Sequence, residues 1–159
     1  MNHEGSKAQS EGAAIEAGRI MLTRIRNLIA QSQDFAFETT LATKSFLPLI
    51  KEAKSAGYSV NLIYFWLKKL DFAIDRVKSR VAEGGHNIPE DVIKRRYYRG
   101  IFNFKHRYIQ EVDYWLLLEN SSSQPMIIAE GKKTFDIIVA NFPSWDLFNN
   151  LADNEPTEH

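Results

Sequence analysis

The chain of 159 residues has no cysteine, which excludes disulfide staples and thiolate zinc sites. It has no excess of either charge sign either, with 20 Lys and Arg against 20 Asp and Glu. Any charged ligand must therefore be read by a local cluster. No stretch approaches the ~20 uninterrupted apolar residues of a membrane span, and the opening MNHEGSKAQSEG lacks the apolar core of a signal peptide. The cytoplasm is the expected compartment. What the sequence does have is apolar and aromatic: 44% hydrophobic residues, with ten Phe, six Tyr and three Trp. That is more burial than a net-neutral disordered chain carries, and enough for one ordinary domain.

Residues 1–12 are polar, with Gly5, Ser6, Ser10 and Gly12 and no periodicity, and read as a flexible lead-in. The ordered core is expected over 13–140, with an irregular tail over 141–159. Ile15, Gly18, Leu22, Ile25 and Ile29 form one helical stripe that ends near Gln31. Phe35-Ala36-Phe37 reads as a short buried strand, followed by a helix over 44–56 that stops at Gly57. Residues 58–67, β-branched and aromatic nearly throughout, read as an interior strand covered on both faces. Strand, helix and strand at this spacing predict a parallel βαβ unit.

Asp71 is the expected cap of the next helix, which ends at Gly84-Gly85. A long helix should follow Asn87-Ile88-Pro89, with Glu90 and Asp91 at its positive end and an apolar stripe from Ile93 to Tyr108. Residues 113–118 read as a buried strand. Met126 to Glu130 and Phe135 to Val139 read as a hairpin across Gly131-Lys132-Lys133, and a short helix is expected at 145–151. Trp66, Trp115 and Trp145 are expected in the core or at its rim.

Charge is uneven along the chain. Residues 76–107 hold Arg76, Lys78, Arg80, Lys94, Arg95, Arg96, Arg99, Lys105 and Arg107 against only Glu83, Glu90 and Asp91. Such asymmetry points to an anionic ligand. Arg95, Arg99, Asn103 and Arg107 recur every four residues, and a hinge at Gly84-Gly85 would turn Arg76 and Arg80 toward them. Guanidinium forks converging from two sides suit a polyphosphate. A solvated basic face with ordinary pairing is the competing reading, and nucleic acid another. Glu38-Thr39-Thr40 follows the expected first strand, where open α/β sheets hold ligand residues. Alternatively, Thr39 or Thr40 merely caps the next helix. His86, between Gly85 and Asn87, either touches a ligand or bonds its own turn.

The segments AAIEAGRIML (13–22), FAFETTL (35–41), GYSVNLIYFWL (57–67) and AIDRVKSRVAEGGHNIPEDVIKRRYYRGIFN (73–103), with Glu119-Asn120-Ser121, resemble the zeta-toxin-like P-loop kinases of bacteria. The ordered set FETTL, RV-x-x-RV-x-x-GGH-x-I/V-P and RRY-x-RG is specific, and the resemblance runs from about residue 13 to 131. It implies an α/β fold: a P-loop kinase-like three-layer sheet with helices on both faces. It also implies ATP and Mg2+ as cofactors and a small-molecule phosphoryl acceptor, which in the toxins proper is UDP-N-acetylglucosamine. By the same resemblance Arg80 and Arg95 or Arg96 are lid arginines on the ATP phosphates, Arg80 and Arg96 being catalytic, with Arg76 in support. Glu38, Thr39, Thr40, His86 and Asn103 fall on the substrate side. No residue is expected as a protein metal ligand.

The sequence departs from the family in one respect: it contains no G-x-x-x-x-G-K-S/T. The first strand, the P-loop and the second strand carrying the general base are expected to be missing, so the chain is expected to be incomplete as given and inactive alone. One explanation is a kinase that has lost its N-terminal segment. Another is a non-catalytic remnant that binds nucleotide or a partner chain. The expected partners are nucleotide and small-molecule substrate, together with an antitoxin or a homo-oligomer that completes the sheet. No membrane partner is expected. RNA binding is disfavoured because aromatic and basic residues are not interleaved as in RNA-binding folds.

Overall fold

The computed structural model describes residues 3–132 and 136–154, with side chains from residue 16 onward. The chain divides into two compact units, Met1–Glu38 and Thr39–His159.

The first unit is built on helix α1, His3–Ala30. Residues 3–12, expected as a loose lead-in, are therefore helical. Glu4, Lys7, Ala8, Gln9 and Glu11 are good helix formers even without an apolar stripe. The helix ends where the sequence indicates, with Gln33 N donating to Leu28 O at 3.0 Å and Ser32 in the left-handed region. Residues 33–38 carry no regular structure, which corrects the expected strand at Phe35–Phe37. The two Phe rings instead stack on each other, centroids 6.5 Å apart. Alternating aromatics over three residues mimic a strand, but a strand exists only where a neighbour completes its ladder.

The second unit begins with helix α2, Leu47–Ser55, which has Pro48 in its first turn and stops at Gly57, where φ is +90°. Strand β1, Asn61–Trp66, follows. Helices α3, Leu70–Ala82, and α4, Glu90–Asn103, form the crossover to strand β2, Tyr114–Glu119. Helix α4 runs on into one π-helical turn, Phe104–Tyr108. Strands β3, Met126–Lys132, and β4, Asp136–Val139, make the expected hairpin, although Lys133 and Phe135 lie outside the described residues. Helix α5, Phe142–Ala152, closes the described chain.

The sheet order is β1-β2-β3-β4, with β1 and β2 parallel and the other pairs antiparallel. The parallel pair is thus β1 with β2, and not the βαβ unit expected around residues 35–67. Asp71 does not cap α3; it sits in the first turn behind Lys69, where its charge still favours the helix N-terminus.

One face of the sheet makes the core. Trp66, Trp115, Leu117, Ile128 and Ala129 meet Ile101, Phe104, Tyr108, Phe148 and Ala152, all essentially buried. Phe148 packs edge-on against Trp66 at 5.4 Å, and Phe104 against Trp115 at 5.7 Å. Each such ring contributes on the order of 2–3 kcal/mol by leaving water. The expected irregular tail is therefore core: Asn141 Oδ1 caps α5 by accepting from Ser144 N at 3.0 Å, and the helix delivers Phe148 and Ala152 inward.

Two further expectations change. Among the described residues strand β1 has β2 as its one neighbour, and Ile63 and Phe65 are each 53% exposed, so it is not covered on both faces. Within this unit α2, α4 and α5 join the core on one face only. The opposite face carries Ile63, Phe65, Leu116, Leu118, Ile127 and Ile138 in register across the four strands. The arrangement is a mixed α/β fold, compatible with a P-loop kinase-like architecture, that realises the expected helical cover on one side.

Candidate functional site

Parallel strands β1 and β2 end side by side, and the residues just beyond them are Leu67-Lys68 and Asn120-Ser121. Such C-terminal ends are where open α/β sheets hold ligands. Helix α3 rises beside them and encloses a shallow cleft of about 430 Å³, lined by Leu67, Phe72, Asp75, Arg76, Ser79, Arg80, Glu83 and Ser121. Arg76 and Arg80, one turn apart, face the same opening. The Arg76 guanidinium donates to the carbonyl oxygen of Asn120, tying α3 to the end of β2.

The turn after α3 fixes Arg80. Gly84 has φ +93°, and Gly85 N donates to Arg80 O at 2.8 Å. A Cβ on Gly85 would lie 2.6 Å from Arg80 Cγ, so only glycine lets the chain close over that side chain. Asp75 and Glu83 also line the cleft, so two carboxylates share it with the two guanidinium groups.

Beneath the cleft lies a pair that the sequence reading did not single out. Glu119, 4% exposed, has Lys68 Nζ 2.8 Å from its Oε2, and Lys68 N donates to Ser121 Oγ at 3.0 Å. Burial pushes the Glu119 carboxyl up, but the Lys68 ammonium and Ser121 outweigh it and hold the group below the usual carboxylate range. The available signal was a lone acid closing the apolar run Trp115–Leu118 at the end of a strand. At Tyr97, burial dominates and pushes the phenol up to about 12 while its hydroxyl donates to Leu67 O at 2.7 Å.

A second group of motif residues meets on α4. Leu41 has φ +54°, unfavourable for a branched side chain, and is buried. Asn103 Nδ2 donates to Leu41 O at 2.6 Å, and Tyr108 Oη donates to Thr43 O at 2.7 Å. A Cβ on Gly100 would lie 2.5 Å from Thr40 O and 2.9 Å from Tyr64 Oη. The FETTL and RRY-x-RG motifs are thus one physical feature: Gly100 admits the Thr40 carbonyl, and Asn103 holds the strained turn behind it.

The candidate residues therefore separate. Arg76 and Arg80 come together in the cleft. Arg95 and Arg96 are exposed on α4 and are not among the cleft's lining residues. His86 is exposed in the loop between α3 and α4. Asn103, 3% exposed, spends its amide on Leu41 O and receives Arg107 at 2.6 Å, while Arg107 lies over the Phe102 ring. Thr39 Oγ1 accepts from Leu41 N at 3.2 Å, a local turn bond. Glu38 is exposed in the first unit. Among the described residues no three His, Asp or Glu gather as a metal cage, and no helix is long and apolar enough to cross a membrane.

The family model described as Zeta toxin matches residues 1–113. An uncharacterized protein of Haemophilus influenzae is 38% identical over 85 residues, which is 54% of this chain and 61% of that protein. The chain thus spans about three fifths of the length of this curated relative. No solved structure matches. Because the family model covers 113 of the 159 residues, the chain belongs to the Zeta toxin family.

Proposed function

We propose that this chain forms the nucleotide-gripping part of a zeta-toxin-like, ATP-dependent small-molecule kinase. The observation that carries the reading is the pair Arg76 and Arg80 in a cleft at the C-terminal ends of parallel β1 and β2. Two guanidinium groups one turn apart suit adjacent phosphates, and the fixed backbone around Gly84-Gly85 limits the entropy lost when Arg80 engages. Family membership supports a kinase-like or toxin function. In this reading Arg95 or Arg96 joins the phosphates when α3 and α4 close on the ligand, and His86 moves with that loop. Thr39 and Thr40 flank the acceptor, which we take to be a sugar nucleotide.

ATP is compatible with the donors in the cleft. Mg2+ finds no three-residue cage among the described residues, so it would be carried on the phosphates, and no step is assigned to it. Bound Mg-ATP would supply the transferable phosphoryl group. Arg76 and Arg80 would bind its oxygens, offset charge that develops on them and order the α3–α4 crossover. The 159 residues contain no G-x-x-x-x-G-K-S/T, and we propose that the chain does not turn over ATP alone.

Titration with a fluorescent, non-hydrolysable ATP analogue tests the reading. Arg80→Ala and Arg76→Ala should each weaken binding about tenfold or more, the value of one charge-assisted contact. Supplying a P-loop segment in trans should restore ATP hydrolysis, and Arg80→Ala or Arg96→Ala should then abolish it. Binding that survives both cleft variants unchanged rejects the site. Binding that depends on Arg76 and Arg80 but never leads to turnover indicates a non-catalytic nucleotide binder.

A further inference from the structure

Leu41 is a bulky, buried residue in the left-handed region at φ +54°, a conformation that persists only where its surroundings over-determine it. What holds it comes from one stretch of chain, the end of α4 and the π turn behind it. Asn103 Nδ2 donates to Leu41 O at 2.6 Å, and Tyr108 Oη donates to Thr43 O at 2.7 Å. Asn103 is 3% exposed, so its amide works inside the fold and not on a ligand. An amide can also turn over, and the other orientation would set its oxygen against the Leu41 carbonyl. Arg107 excludes that orientation. A guanidinium only donates, and Arg107 Nη1 donates to Asn103 Oδ1 at 2.6 Å, so the oxygen stays with Arg107 and the Nδ2 donors stay on Leu41. The π turn puts Arg107 there. Ile109 N donates to Phe104 O, five residues back, and this wider winding sets Arg107 beside Asn103, four back, and 5.2 Å from the centre of the Phe102 ring, five back.

We infer that Arg107 and Asn103 are positioning residues for the phosphoryl acceptor: Arg107 fixes the Asn103 amide, and Asn103 fixes the left-handed turn that presents Thr39 and Thr40. The inference rests on the reading of Thr39 and Thr40 as acceptor residues. Both threonines are coupled to Leu41. Thr39 Oγ1 accepts from Leu41 N at 3.2 Å, so a rotation at Leu41 takes the Thr39 hydroxyl with it. The Thr40 carbonyl lies against Gly100, where a Cβ would come within 2.5 Å, and this close fit leaves the turn no room to relax on that side. Arg107 thus differs from Arg76 and Arg80 within the same basic segment. Its guanidinium is engaged by Asn103 and Phe102, and it acts on a ligand only through the turn.

Titration of the full chain with two ligands tests this, UDP-N-acetylglucosamine for the acceptor side and a non-hydrolysable ATP analogue for the cleft. Arg107→Met keeps an apolar stem over Phe102 and loses the donor. Asn103→Asp keeps the shape and the partner of Arg107 but sets an oxygen against Leu41 O. Each should weaken UDP-N-acetylglucosamine about tenfold, the scale of one lost buried hydrogen bond, and leave the ATP analogue unchanged. Arg107→Lys still donates to Asn103, and should bind the sugar nucleotide nearly as the wild type does. In proton–nitrogen correlation spectra the Thr40 and Leu41 amides should shift in Arg107→Met and stay in place in Arg107→Lys. A wild type that binds UDP-N-acetylglucosamine while Arg107→Met and Asn103→Asp bind it equally well would overturn the positioning role, as would Thr40 and Leu41 amides unmoved in Arg107→Met. A wild type with no affinity for the sugar nucleotide would instead overturn the acceptor reading beneath it.

Discussion

Lys68 and Glu119 meet where two parallel strands end, and the pair is asymmetric: the carboxylate is buried while the ammonium side chain is about a third exposed. Lys68→Ala should cost about 2 kcal/mol in chemical denaturation, less than a fully buried pair because water already reaches the ammonium. A carboxyl held low in the folded state stabilises above its unfolded pKa and loses that contribution as pH falls through the folded value. Thermal melts of the wild type should therefore drop in acid more steeply than those of Glu119→Gln. Gly100→Ala forces a methyl into the Thr40 carbonyl, and should lower stability by about 1–3 kcal/mol in the same assay. The motif around Gly100 was legible in sequence, but its cause was not. The contact joins residues sixty apart, and no local pattern reports a close approach at that range. Lys68 and Glu119 were hidden for the same reason, since each alone is an ordinary charge after an apolar run.

Elements were legible where local signals agree. Gly57 and Gly84 stop their helices at positive φ, as read, and the β3–β4 hairpin follows its turn residues. Periodicity failed where it carries no information about neighbours. The run 58–67 reads as a strand, yet a continuous apolar run does not tell an interior strand from a terminal one with an open face. Phe35-Ala36-Phe37 has the alternation, yet residues 33–38 carry no regular structure. Beyond Asn141 the sequence indicates an irregular tail with only a short helix at 145–151, although Asn141, Pro143 and the spacing of Trp145, Phe148 and Ala152 form a capped amphipathic helix. Its weight in the core predicts that Phe148→Ala should cost about 4 kcal/mol, measured by denaturant midpoint. A peripheral helix would lose a fraction of that.

At the scale of the molecule, the whole basic segment 76–107 lies within the α3–α4 crossover and the π turn behind it, so the neutral chain concentrates its positive charge on one crossover. Local charge on a neutral body favours a compact polyanion over a long one. Binding of an ATP analogue should therefore weaken only modestly between low and physiological salt. Retention on RNA should vanish over the same range, as a filter-binding series would show. The π turn at Phe104–Tyr108 holds one more residue than α winding would fit into the same turn. Deleting one residue there and closing the turn to α winding leaves the following chain on nearly the same face, whereas a deletion within the regular part of α4 turns everything after it by about 100°. That rotation would take Tyr108 from Thr43 and carry Ile109 and Val112 out of the core. A single deletion at Lys105 or His106 should therefore lower the denaturant midpoint less than one at Lys94 or Arg95, so the π turn is the place where this crossover can give up a residue.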